Sequence, residues 1–246
     1  MIKHFLISTI VLFTLNIESQ STSVLEVKYD FYLNLGVVSN QYQPVLIINK
    51  KESVFKWGKI MAVKEPDDSD FVINLNENDS IGTINYINLE TDSILSREPW
   101  IHSEVYILKE KIPKIAWALT SESKTIGEFN CLKAIGLFRG RAYTAWYTLD
   151  IPVSMGPWKL QGLPGLIVQA EDEGKQIIFK IISITHIKMS EALKPNVNGT
   201  VISLEEYKIQ QKSLVKDLFE KMSTKLPRGA TIKITKTTDG MEIFDN

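Results

Sequence analysis

Arg139, Gly140 and Arg141 stand beside Tyr143, Trp146 and Tyr147, with Trp158 and Lys159 a short loop further on. Guanidinium groups bind carboxylates or phosphates bidentately and stack on aromatic faces. Two arginines among three or four aromatics could therefore read a peptide, a lipid head group or a sugar acid. The same residues also have a structural reading, which is the stronger of the two. In it Gly140 permits a bulge, both arginines point to the wet face of a strand, and aromatics at period two pack the core. Trp158 keeps recognition in play, because it lies in a Gly-Pro loop, where binding residues concentrate. The candidate binding set is Arg139, Arg141, Tyr143, Trp146, Trp158, Lys159, Leu163 and Pro164.

Other chemistry has fewer parts. Cys131 with His102 or His186 as base is the minimal inventory for a Cys-His hydrolase or transferase. A free thiol needs a positive charge or a helix N-terminus nearby to become thiolate, and Cys131 sits between Asn130 and Leu132 in an apparent strand, so a buried, inert cysteine is expected. A single cysteine also excludes an intramolecular disulfide. No CxxC, HxH or HExxH spacing occurs, so no metal site and no cofactor is expected. The acidic groups Asp67, Asp68 and Asp70, and Glu171-Asp172-Glu173, lack the spaced ligands and glycine of a calcium loop and read as solvated turns. Gly162-Leu163-Pro164-Gly165 lacks the Lys-Ser/Thr of a nucleotide loop. A net charge of −1, without a basic block, gives no support for nucleic-acid binding.

The elements that must position these residues are mostly strands. Leu25, Val27, Tyr29, Phe31 and Leu33 alternate with polar residues, as a strand with one wet face does. Val45–Ile48, Val54–Trp57, Phe71–Leu75, Ile81–Leu89, Val105–Leu108, Ile115–Leu119, Cys131–Phe138, Ala142–Tyr147, Leu166–Gln169, Ile177–Ile184 and Thr231–Lys236 follow, separated by Gly, Pro, Asn and Asp clusters. One segment differs. Ser203 stands three residues before Glu206, a capping box, and apolar residues then recur at helical spacing, which predicts a helix from Leu204 to Met222 packed on the sheet. The fold expected is mainly β (α+β): a large curled antiparallel sheet, half-barrel or sandwich-like, with one C-terminal amphipathic helix.

Gly156-Pro157-Trp158-Lys159-Leu160-Gln161-Gly162-Leu163-Pro164-Gly165-Leu166-Ile167 is shaped backbone in an apolar run. Pro164-Gly165 suits the centre of a type II turn, which would put Gly165 at positive φ. Ahead of it come Trp117, Lys124-Thr125-Ile126, Cys131-Leu132-Lys133-Ala134, Phe138-Arg139-Gly140-Arg141, Ala145-Trp146-Tyr147 and Ile151-Pro152. This ordered set, over about residues 117–170, resembles the GLPGLI family, secreted or envelope proteins of unknown function from Gram-negative bacteria. The resemblance implies an envelope location and supplies no catalytic residues.

The N-terminus agrees with export. A basic start, Met1-Ile2-Lys3-His4, precedes an apolar run from Phe5 to Ile17 and then small polar residues, the layout of a signal peptide over residues 1–19 with cleavage after Ser19. No cysteine near that site allows a lipid anchor, and no later run is long enough to span a bilayer. Residues 20–246, without a Gly/Ser/Pro linker, read as a single domain. The function expected is a non-enzymatic exported envelope protein, periplasmic or extracellular, that binds an apolar ligand, a peptide or a partner protein, including an outer-membrane partner.

Overall fold

Period-two patterning is what the chain turns into pairing. The structure, a computed structural model, describes residues 22–35, 39–58, 79–100, 104–190, 192–213 and 240–244. Within them β1 (Thr22–Asn34), β2 (Ser39–Tyr42), β3 (Val45–Asn49), β4 (Glu52–Trp57), β5 (Thr83–Asn88), β6 (Ser93–Pro99) and β7 (Val105–Lys111) form the first half of the chain. The second half supplies β8 (Ala118–Ile126), β9 (Phe129–Phe138), β10 (Arg141–Thr148), β11 (Leu166–Asp172), β12 (Ile177–Met189) and β13 (Thr200–Ile202). They pair as one sheet in the order β13-β7-β6-β5-β4-β3-β1-β12-β11-β10-β9-β8, with β2 also beside β1. The links are antiparallel, as expected of a large antiparallel sheet, apart from the short edge strand β13, which pairs parallel to β7. The sheet is open and does not close into a barrel.

Curvature starts in β1. Leu25–Lys28 pair with β3, whereas Phe31–Asn34 pair with β2, and a register shift between Lys28 and Tyr29 marks the corner. There the Tyr29 amide donates to the Pro44 carbonyl instead of to a ladder partner. One consequence is that β4 and β12, three strands apart in the order, bring the Phe55 and Phe179 rings to 6.0 Å. The Phe31 ring stacks on Phe179 at 4.4 Å. The main core lies inside this curl, with Val27, Tyr29, Phe31, Leu46, Phe55 and Ile94 meeting Tyr143, Leu160, Leu166 and Phe179. Each such side chain contributes about 1.5–3 kcal/mol by leaving water.

The capping box forms as the sequence requires. The Ser203 hydroxyl accepts from the Glu206 amide at 3.2 Å while the Ser203 amide donates to the Glu206 carboxylate at 2.7 Å. Helix α1 (residues 204–213) follows and packs Tyr207 against Trp100 and Phe244, beside β7. Its expected continuation to Met222 lies outside the described residues, as do the signal peptide, the Phe71–Leu75 and Thr231–Lys236 strands, Asp67, Asp68, Asp70 and His102. No helix among the described residues is long and apolar enough to cross a membrane, which says nothing about barrels.

Candidate functional site

Phe138 pairs with Arg141, so Arg139 and Gly140 alone make the loop between β9 and β10. Their φ angles of 50° and 71° are both positive, as a type I′ hairpin turn requires. Gly140 is there for a second reason. A Cβ on it would stand 2.5 Å from the Ile243 carbonyl oxygen and 2.6 Å from the Ile243 Cβ, so only glycine lets residues 240–244 lie across the turn. The Ile243 amide donates to the Arg139 carbonyl at 2.9 Å.

Arg141 reads the backbone of the same segment. In β10 it shares its face with Tyr143, Ala145 and Tyr147, all buried, and so points inward. The expectation that both arginines face water is corrected: buried acceptors hold each of them. Arg141 Nη2 donates to the Gly240 carbonyl at 2.7 Å and Nε to the Met241 carbonyl at 3.2 Å. Nη1 donates to Asp172 Oδ2 and Gln176 Oε1, each at 2.8 Å. The other Asp172 oxygen accepts the Gln176 and Ile177 amides at 2.7 Å. Asp172 is thus a buried cap of the β11–β12 turn and not a solvated loop residue.

Glu242 enters a second cluster. Lys159, 1% exposed, puts its Nζ 2.9 Å from Glu242 Oε1 and 3.6 Å from Glu110 Oε1. Arg139 pairs with Glu110 through Nη2, and its Nε lies 3.4 Å from Glu242 Oε1. Glu98, half-buried on β6, completes the group. Burial first, and then Glu242 and Glu110, push its carboxyl up to about 7, against the opposing pull of Lys159 and an Asn85 hydrogen bond. Burial alone would depress the Lys159 ammonium, but Glu242, Glu98 and Glu110 outweigh it and hold it above its usual value. Among the described residues, Asn85 Oδ1, Glu110 Oε1, Arg139 Nε and Glu242 Oε2 are buried without a hydrogen-bond partner.

The loop between β10 and β11 delivers Lys159. Leu160 donates its amide to the Pro157 carbonyl, and Trp158, between them, has φ of 57°. A tryptophan in that region is strained and persists because its ring packs on Phe138 at 5.4 Å and near Tyr143 at 6.5 Å. Gly162, and not Gly165, has positive φ, which corrects the expected turn. Gly165 is required by space: a Cβ there would be 1.9 Å from the Thr148 carbonyl oxygen. Leu160, Leu163 and Leu166 then plug the core.

The structure therefore brings Arg139, Arg141 and Lys159 together around residues 240–244, with Trp158 buried in the core beside Lys159. Tyr143 and Leu163 are core beneath them, Trp146 is half-buried under Lys124 on the outer side, and Pro164 is exposed. Glu98, Glu110, Asp172 and Glu242 were missed by sequence reasoning, although Glu98 is in phase with Ile94 and Ser96, and Glu110 with Leu108. Cys131 is buried, donates to the Phe129 carbonyl, and has its pKa raised by burial. His186 is exposed on β12, three strands from β9 and so roughly 14 Å of sheet away. The two are not brought together. Among the described residues, no group of His, Cys, Asp and Glu could hold a metal ion.

Residues 138–169 match a family described as a protein of unknown function, Porph_ging. No curated protein matches the chain. Two solved structures of PNGF-II, in C2 and P21 space groups, are similar to it at 21% identity with a TM-score of 0.53, over 76% of this chain. The chain spans about a third of their length, 32% and 33%. At that identity the likeness is one of fold.

Proposed function

We propose that this chain is an exported, non-enzymatic binding protein of the bacterial envelope, of GLPGLI type, whose curled sheet holds a peptide or an extended segment of a partner protein. The observation that carries the reading is the convergence of Arg139, Gly140, Arg141 and Lys159 on five residues of irregular chain. These four, with Trp158, all fall within the matched stretch 138–169. A backbone carbonyl taking the segment's amide, an inward arginine reading carbonyls and an ammonium reading a carboxylate are the means by which proteins hold peptides. A peptide suits this chemistry better than a lipid does.

Export rests on the N-terminal layout of basic start, apolar run and small polar residues. The reading takes residues 20–246 as one unit, since segment 240–244 is gripped from the middle of the chain. Native mass spectrometry of the protein purified from its own envelope fraction tests both parts. A species beginning near Gln20, with a co-purifying peptide or protein mass, is the expected result. A soluble species that retains Met1–Ser19 would overturn export, and a protein that never carries a peptide or protein partner would overturn the binding role.

A further inference from the structure

We propose that Arg139, Arg141 and Lys159 form a receptor for peptides of the pattern glycine, apolar, glutamate, apolar, aromatic supplied in trans, and that residues 240–244 are its self-ligand. The inference rests on the binding-protein reading and narrows it to one ligand class. Each position of Gly240-Met241-Glu242-Ile243-Phe244 meets a different selective contact. The carbonyls of Gly240 and Met241 take the Arg141 fork, which recognises two successive backbone carbonyls. The Glu242 carboxylate takes Lys159, buried to 1%, where an uncharged side chain would leave an ammonium without its nearest partner. Ile243 lies against Gly140, and its amide reaches the Arg139 carbonyl. The Phe244 ring stands 6.5 Å from Tyr207, with the Arg139 guanidinium 5.2 Å from it.

Two features make this segment exchangeable where an ordinary core element is fixed. First, charge remains paired when it leaves. Glu110 would then face Lys159 and Arg139, with Glu98 beside them, and Arg141 would keep Asp172 and Gln176. Buried clusters normally resist losing a member because an uncompensated charge is left behind, whereas here Glu110 stays 3.6 Å from Lys159 and paired with Arg139. Second, the segment fits incompletely: Glu242 Oε2, Glu110 Oε1 and Arg139 Nε stay without hydrogen-bond partners while it is seated. Another peptide carrying the same carboxylate has hydrogen-bonding capacity left to fill.

The test uses the full chain carrying Glu242→Ala, which weakens the self-ligand and leaves the receptor side chains in place. The probe is a fluorescein-labelled peptide of residues 239–245, read by anisotropy. The expected result is saturable binding to Glu242→Ala about tenfold or more tighter than to the unaltered chain, with a similar loss when the peptide's glutamate is replaced by glutamine. Adding Lys159→Met should remove that preference for glutamate. If Glu242→Ala fails to fold by circular dichroism, Phe244→Ala frees the aromatic end instead and is read the same way. No saturable binding up to about 1 mM by the folded variant, or equal binding of the glutamine peptide, would overturn the proposal. A concentration-dependent dimer of the unaltered chain that the free peptide dissolves would reassign the trans ligand to a second copy and overturn a foreign partner. If a peptide or protein co-purifies from the envelope but the probe does not bind, this inference falls and the binding-protein reading stands; if neither occurs, both fall.

Discussion

The Arg141 cluster and the Lys159 cluster are both buried, both built around the 138–169 stretch and both in contact with residues 240–244, yet they differ in how fully their polar groups are satisfied. Every nitrogen of the Arg141 guanidinium has an acceptor, and both oxygens of Asp172 are used. Around Lys159, three carboxylates face two cations, and Glu110, Arg139 and Glu242 each keep a buried atom without a partner. A completed network fixes one geometry; an incomplete one leaves the state of its members open to protons and ligands. The Asp172 side of the first cluster is thus scaffold, tying β10 to the β11–β12 turn, while Nε and Nη2 of Arg141 hold residues 240 and 241. The second is where occupancy can change.

Breaking the scaffold should have the largest effect. Arg141→Met leaves the Asp172 carboxylate buried beside Tyr143 with no cation, and should lower stability by about 3–5 kcal/mol, measured as a shift in the denaturant midpoint. A loss under about 1 kcal/mol would mean that the Arg141 cluster is no more structural than a surface pair, and the contrast would collapse. Lys159→Met should cost less and, unlike the first change, its cost should depend on pH. Lys159 is the cation that pulls Glu98 down, so its loss is worst when Glu98 is ionised. About 3 kcal/mol at pH 8 or so, shrinking toward pH 5, is the expected pattern. A loss that stays flat across that range would place the two clusters in one class.

What the sequence revealed follows from phase. In β1, β3, β10 and β12 one face is apolar and one wet, so alternation named the strands directly. β6 was invisible because its inward positions are Ile94, Ser96 and Glu98, which weakens the apolar signal on the very face that carries the site. The expectation of a helix from Leu204 to Met222 rested on local capping and spacing, and its start was met to the residue at Leu204. The clusters could not be read locally. Lys159 and Glu242 are 83 residues apart, and Arg141 reaches Met241 across 100. One clue was nevertheless present: Arg141 lies in phase with Tyr143, Ala145 and Tyr147, so an arginine at a core position already implied a buried acceptor. Gly165 taught a different point, since proline-glycine suggested a φ requirement where the actual constraint is the Thr148 carbonyl.

The smallest predicted effect is the most specific to the second cluster. Folding raises the Glu98 carboxyl from 4.5 to about 7, so the folded protein keeps a proton that the unfolded chain releases between those values. Stability contributed by that proton is present in full below the unfolded value and is lost as pH rises through the folded one. Glu98→Gln holds the position neutral throughout. Because Glu98 retains some exposure, the variant should be more stable than the unaltered protein by about 1–2 kcal/mol at pH 8 or so, and equal to it near pH 4.5. Asp79 does not blur this window. Burial would raise its carboxyl, but the bidentate Arg97 fork and the Ile81 and Gly82 amides hold it below its usual value, so its contribution disappears only at lower pH. Stability curves for the two proteins that run parallel from pH 4.5 to 8 would show that Glu98 does not carry the excess proton, and would leave the Lys159 cluster as fixed as its neighbour.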